Sequence, residues 1–517
     1  MDVGRAVTEH FKVYLCAAAL LLALAWPLVP AKWRRQGLLA LVLLAGANYA
    51  RWGTEALTTR VDAYDLLHYY VNAKYFDELG YLDLYPAMLV VDADNDGPFF
   101  AQGETYMAQD AQGHHFAPIA QGIARGREIR PRFTDERWAE FSHDVLYLER
   151  TVGCRDRDRR GRCLRELSDE LYRQLINDHG FNGTTTWTLV ARPFTVVPVE
   201  WVKLLGYIDV VLLAAALGAV AWAYGGTTAG WTLLFLLVTY STRWPYFSWA
   251  FLRYDWVAAL LGATALLKKG RPLAAGVLAG WAATLRLFPA MWMWGMFCKG
   301  VAGLAGRRLE RPALWLAAGF VATVIALQGA AVAQFGTHSV VEHFENMMDH
   351  NSAEQLSSRR IGLALALATE PWRGTATEMV ITPARKAKID AQEPLRYGIA
   401  LATMVALGYA VRRRGDDEAF GYGFLPFFLL TTASYYYYVC RATLIVLHAS
   451  DLDRWRNRVA LALLFGLELF SNAAETFQSG HRLFLIGTLA WGLWLYAVVA
   501  IGWLILDDTR ADRTNNA

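Results

Sequence analysis

The chain is poor in the signatures by which enzymes usually declare themselves. It has no glycine-rich phosphate loop, no G-x-S-x-G elbow and no H-E-x-x-H pair, so ATP-driven and zinc-protease chemistry have no residues to rest on. Cysteine is scarce, five in 517 residues. Cys16, Cys298 and Cys440 lie in or beside apolar runs, where a thiol behaves as a small hydrophobe. Cys154 and Cys163 stand together in polar sequence. As a disulfide they would put that stretch in an oxidising compartment; the alternative is two free thiols. The formal net charge of +3 says little about partners, and no nucleic-acid partner is expected. The apolar run from Val13 to Val29 lacks a basic n-region and a small-residue cleavage site, so it reads as a span and not as a cleavable signal.

What is abundant is apolar sequence. Hydrophobic residues make up 55% of the chain, with 20 Trp, in runs that a soluble protein of this length would not carry. The expected fold class is an all-α polytopic membrane protein of about 13 transmembrane helices with a large external loop domain. Basic residues gather on the cytoplasmic side, here marked by Lys32, Arg34 and Arg35, by Lys268, Lys269 and Arg271, by Arg307 and Arg308, and by Arg412 to Arg414. On this scheme residues 1–50 hold two helices and 51–200 form an external domain. Residues 201–334 return to the membrane, 335–395 are a second external segment with a half-helix, and 396–517 complete the bundle. Pro272 to Gly306 starts and ends at basic marks, which requires two short helices meeting at Arg286 and Pro289. Asp135–Tyr147 and Arg165–Ile176 have the periodicity of amphipathic helices.

Asp62, Asp65 and His68 are spaced by three, so on a helix they share one face just beyond the second apolar run. A carboxylate there, partly desolvated, suits a general base; a solvated helix cap is the plainer alternative. Arg286 sits inside an apolar hairpin and should face a polar cavity or a partner. That partner is either a phosphate gripped by the guanidinium fork or a structural acid such as Asp255. Arg243, Arg253 and Asp255 flank the same surface. The segment from Phe335 carries His343, His350, Asn351, Arg359 and Arg360, which suit phosphate binding or proton transfer, or are simply solvated loop charges. Asp92, Asp94 and Asp96 open a D-x-D-x-D-G run like a calcium loop, although Gly103 occupies the twelfth position. A structural Ca2+ competes there with an Asp-rich turn. The tract Tyr435 to Tyr438 reads as an interfacial aromatic belt, with stacking against a sugar as the sharper reading.

The acid-bearing stretch around Asp62 and Asp65, the hairpin TLRLFPAMWMW and the segment Ser357-Ser358-Arg359-Arg360-Ile361-Gly362-Leu363 together resemble the GT-C superfamily of membrane glycosyltransferases. Within it the chain is similar to the polyprenol-phosphate-sugar-dependent, mannosyltransferase-like proteins of glycosyltransferase family 87. The resemblance implies inverting transfer of a mannose-like or arabinose-like sugar from a polyprenyl-phosphate donor. The acceptor would be a glycan, lipid or protein at the external face of the cytoplasmic membrane, and no cofactor is required. Asp62 first, Asp65 second, would deprotonate the acceptor hydroxyl, with His68 beside them. Arg286 and Arg359 or Arg360, with His350, would hold the donor phosphate. Two rivals stand: a lipid or polysaccharide transporter or flippase, and a non-catalytic envelope-assembly protein. Charge confined to the outer third favours transfer, whereas charge continuing to the cytoplasmic side favours transport.

Overall fold

Crossing the hydrocarbon core takes about 20 apolar residues as helix. In the computed structural model six stretches meet that demand: Val7–Leu28, Val199–Tyr224, Arg311–Met348, Glu393–Val411, Trp455–Phe477 and Arg482–Asp507. The structure describes residues 3–50, 52, 63–95, 105–110, 113–149, 156–157, 163–165, 175–178, 180–242, 251–350, 357–374, 377, 380–477 and 481–515. The chain is thus a multi-pass membrane protein, mostly helical. The helices used below are α1 (Val3–Ala25), α2 (Ala31–Tyr49), α3 (Gly206–Tyr224), α4 (Gly226–Val238), α5 (Asp255–Lys268), α6 (Pro272–Arg286), α7 (Trp294–Ala305), α8 (Arg311–His350), α9 (Glu393–Val411), α10 (Ala442–Ala449), α11 (Trp455–Phe477) and α12 (Arg482–Asn515).

Of the about 13 spans expected, six are long and apolar enough to cross among the described residues; the others form shorter or broken helices. Helices α4, α5, α6 and α7 have 13, 14, 15 and 12 residues, roughly 18–23 Å at 1.5 Å per residue. In α2, Lys32, Arg34 and Arg35 occupy the first turns, and only the stretch from Leu38 onward is apolar. The expected span from Phe420 to Tyr436 breaks into Phe424–Leu430, a two-residue strand and a 3-10 turn over Tyr435–Arg441. The two-helix hairpin does form: α6 ends at Arg286, a 3-10 turn covers Phe288–Met293, and α7 follows. The segment after Phe335, expected as a loop, continues α8 to His350 through a kink at Gly336, whose φ of 81° suits glycine. Asp135–Tyr147 is helical as its periodicity predicts, with Thr134 as N-cap. Most of Arg165–Ile176 lies outside the described residues.

Two hydrophobic cores result. One joins α1, α3, α4, α5 and α12 with the rest of the bundle. The second gathers residues from Leu66 to Leu205 and is completed by Phe251, Leu252, Leu285, Ala331 and Phe335. The basic marks of separate helices meet on one face of the bundle. There Arg34 approaches Asp453 at 4.0 Å, Lys268 pairs with Asp417 at 3.3 Å and Lys299 with Asp416 at 2.5 Å. Arg414 and Arg456 share Asp507 on the same face.

Helices α6 and α8 touch along backbone. A Cβ built on Gly276 would lie 2.1 Å from the Leu316 carbonyl oxygen, and one on Gly280 2.8 Å from that of Phe320, the spacing of a small-xxx-small contact. Gly276→Ala is therefore expected to cost about 1–3 kcal/mol, read as a lower Tm in detergent. Gly218→Ala, which would meet nothing within 4 Å, should leave Tm unchanged or slightly raised; equal effects would refute the close approach.

Candidate functional site

The site begins with a segment that cannot be helical. Residues 251–254 precede α5, and Leu252 has a φ of 47°, a sparsely allowed value for a branched side chain. Three side chains hold this segment in place. Asp209, buried on α3, accepts from the backbone N–H of Arg253 and of Tyr254, both at 2.9 Å. Trp187 Nε1 donates to the Leu252 carbonyl at 3.0 Å and Trp256 Nε1 to that of Arg253 at 2.9 Å. Thr184 caps the helix carrying Trp187 and donates to the Thr284 carbonyl at 2.7 Å, fastening the end of α6. Just past it Leu287 also has positive φ, 42°. Thus a strained residue adjoins each of two arginines, Arg253 and Arg286. Strain of this kind persists only where the surroundings over-determine it.

The side chains converge. Asp65, in the short helix Ala63–Leu66, makes an ion pair with Arg253; Asp65 is buried and Arg253 half-buried. The Arg253 guanidinium lies over the Tyr436 ring at 4.7 Å, and that of Arg286 over Tyr69 at 5.8 Å. Tyr69 belongs to Leu67–Val71, a turn wound as π-helix, a local distortion frequent at functional sites. Arg286 is within electrostatic reach of Tyr437, Asp255 and Arg253, and its Nε has no hydrogen-bond partner among the described residues. Arg360 enters through a two-residue ladder in which Arg360 pairs with Ser434 and Ile361 with Ala433. This puts Arg360 within reach of Tyr436, Tyr437 and Asp178. Arg360, in the strand, is buried, whereas Arg359, in the turn before it, is exposed. Tyr69, Arg253, Tyr254, Trp256, Arg286, Tyr436 and Tyr437 line a narrow crevice of about 10 Å3, far below the roughly 300–1,000 Å3 usual for small-molecule sites, so a ligand larger than water enters only if the walls part.

His68 borders this crevice without entering it. Its Nε2 lies 2.5 Å from the Tyr85 hydroxyl. The Tyr64 ring stands edge-on at 4.9 Å, and the Tyr64 hydroxyl donates to Asp178 at 2.6 Å. Burial, opposed by Asp178 and Asp65, holds the imidazole below the usual histidine range.

Of the residues expected from sequence, Asp65, Arg286 and Arg360 come together, with His68 alongside. Arg359 is exposed, a correction, because it sits in the turn before the strand. Asp62, Asp96 and Cys154 lie outside the described residues, as does the side chain of His350, and Arg243 likewise. Cys163 opens a short strand opposite Arg157. The calcium-loop reading is corrected: Asp92 and Asp94 belong to the helix Leu84–Asp94, where residues two apart point about 200° away from each other. Asp92 is buried and Asp94 pairs with Arg127 at 2.8 Å. Among the described residues no three His, Cys, Asp or Glu side chains cluster as metal ligands. Sequence reasoning ranked Arg253 low and read the tyrosine tract as belt; Tyr69 and Asp178 carried no signal at all. No family model, curated protein or solved structure matches the chain.

Two measurements check this geometry. Asp209→Ala orphans two buried amides and should cost about 1–3 kcal/mol for each, seen as a fall in Tm; an unchanged Tm would exclude the clamp. Because folded His68 takes up a proton less readily than unfolded His68, the unfolded state binds more protons as pH falls below about 6.5. Stability should therefore drop from pH 7 to pH 5, and His68→Gln should flatten that part of the profile.

Proposed function

We propose that the chain is a GT-C-type glycosyltransferase that takes a sugar from a polyprenyl-phosphate donor at the membrane face opposite the basic marks. The observation that carries this reading is that Arg253 and Arg286 line one crevice, with Arg360 in reach of two of its tyrosines, and that Asp65 is the only carboxylate in an ion pair with any of the three among the described residues. Arg286 and Arg360 are buried with no carboxylate in ion-pair contact among the described residues, an arrangement that leaves room for an anion, and the fork geometry suits phosphate. The crevice and the basic face stand at opposite ends of α5, which runs from Asp255 to Lys268. By the positive-inside rule the crevice then opens externally.

In this mechanism the crevice widens and the donor phosphate sits between Arg286 and Arg253, with Arg360 beside its tyrosine wall. Binding draws Arg253 toward the phosphate and loosens its pair with Asp65. The freed carboxylate then accepts the proton of the acceptor hydroxyl, whose oxygen attacks the anomeric carbon as the bond to the phosphate oxygen breaks. Configuration inverts, the polyprenyl phosphate leaves, and the arginines neutralise the charge that develops on it. Asp62, three residues upstream, shares the role of base by its spacing alone. Tyrosine faces are suited to stacking on the sugar.

One observation favours transport instead: charges buried elsewhere in the bundle, on α1, α11 and the turn before α10. The discriminating experiment supplies purified protein with synthetic polyprenyl-phosphate mannose or arabinose and compares wild type with Asp62→Asn, Asp65→Asn and Arg286→Gln. Arg286→Gln should lower turnover about 100-fold or more. Full turnover in both Asp variants would remove the acids from catalysis. No turnover by wild type, with lipid-linked sugar moved across vesicles, would establish the transporter.

A further inference from the structure

The buried charges left unused by that reaction lie at the foot of the tyrosine turn. Arg441 ends the turn Tyr435–Arg441 and, fully buried, lies 2.8 Å from the equally buried Glu468 of α11. Arg441 Nε donates to the Tyr438 carbonyl at 3.0 Å and its Nη2 to Ser241 Oγ at 3.3 Å. Glu468 Oε2 accepts the backbone N–H of Tyr240 at 2.8 Å, and the Tyr240 ring packs against Tyr435 at 5.0 Å. Lys12, buried on α1, adds a third charge; it and Glu468 both bear electrostatically on Cys16. The other end of the turn hangs from the strand that carries Arg360. There the Tyr435 N–H donates to the Arg359 carbonyl at 2.8 Å and the Tyr438 hydroxyl to that of Ile361 at 2.7 Å.

Depth separates this cluster from a conduction path. Glu468 is 13 residues along α11 from Trp455, about 20 Å at 1.5 Å per residue. Arg253 is 15 residues from Lys268 at the end of α5, about 22 Å if the rise is helical throughout. The pair is therefore level with the crevice, not between it and the basic face. Below Arg441, α10 reads ATLIVLHA and carries no charged side chain before His448. A proton or ion pathway would need groups there.

We propose that Arg441 and Glu468 are positioning residues, an ion pair that holds the turn Tyr435–Arg441 and thereby sets Tyr436 and Tyr437 against Arg253 and Arg286. Tyr436 and Tyr437 wall a crevice of about 10 Å3, so the donor enters by parting that wall, and a firmly held turn closes it again on the bound phosphate. The effect on donor binding rests on the phosphate reading of the crevice; the hold on the turn does not.

The test uses the full chain in detergent micelles. Arg441→Lys keeps a positive charge near Glu468 but loses the Nε donor to Tyr438; Glu468→Gln keeps the shape and the acceptor for Tyr240 but loses the charge. Hydrogen exchange is followed over residues 433–441 and 357–363, and binding of farnesyl phosphate is titrated in parallel. Exchange over these two segments should quicken about tenfold, with α10 and α11 unaltered, and affinity for farnesyl phosphate should fall about tenfold. Unchanged exchange over 433–441 in both variants overturns the proposal, as does exchange that rises equally throughout α10 and α11, which marks general loosening. Wild type that fails to bind farnesyl phosphate counts against the donor-phosphate reading alone, and the exchange result still decides the positioning role.

Discussion

A guanidinium placed among apolar helices must find charge, hydrogen-bond acceptors or aromatic faces, and this demand organises the molecule. Arg253 meets it through Asp65, from a segment 188 residues away, and through the Tyr436 ring. Its own backbone is held by Asp209 from a third element. An unpaired charge in such surroundings is far more costly than the pair is stabilising. The pairing therefore specifies which elements meet more than it adds to stability. Four regions distant in sequence are drawn to one point by it.

The breaks in helical structure reflect the same demand from the backbone side. Non-helical chain inside a membrane protein persists only where it is buried in protein or lines a polar cavity. Here the interruptions at 251–254, 287–293, 357–362 and 431–441 all belong to the crevice or its supports. The short helices around them have the same cause. Polar groups at these ends are met by side chains, Asp209 on the amides of Arg253 and Tyr254 and Thr184 on the Thr284 carbonyl. Positive φ at Leu252 and Leu287 shows that two of these turns are made without the residue that would make them cheaply.

The tyrosine turn links this site to the interior of the bundle. Its upper end is laced to the strand of Arg360, its lower end to a buried ion pair between Arg441 and Glu468. The tract that reads as an interfacial belt is thus a wall, and its rings act as π faces for Arg253 and as neighbours of Arg286. Aromatic residues near a span terminus are common enough that composition alone favoured the belt. Only the ladder between Arg360 and Ser434 reveals which way the tract faces.

Sequence by itself determined the class of the protein. Long apolar runs leave no alternative to membrane helices, basic clusters mark one face, and the misplaced Arg286 with Pro289 forces a broken hairpin, because each of these depends on local composition and length. Asp65 and Arg360 were legible as candidates for the same reason: charge beside an apolar run is conspicuous. Tertiary structure decided which charges face one another. The partner of Asp65 is Arg253, the clamp on Arg253 is Asp209, Arg360 points inward while Arg359 does not, and Asp92 and Asp94 lie on a helix and not in a calcium loop. Those outcomes rest on contacts between segments far apart in the chain and on turn and helix geometry set by packing, which no short window of residues contains.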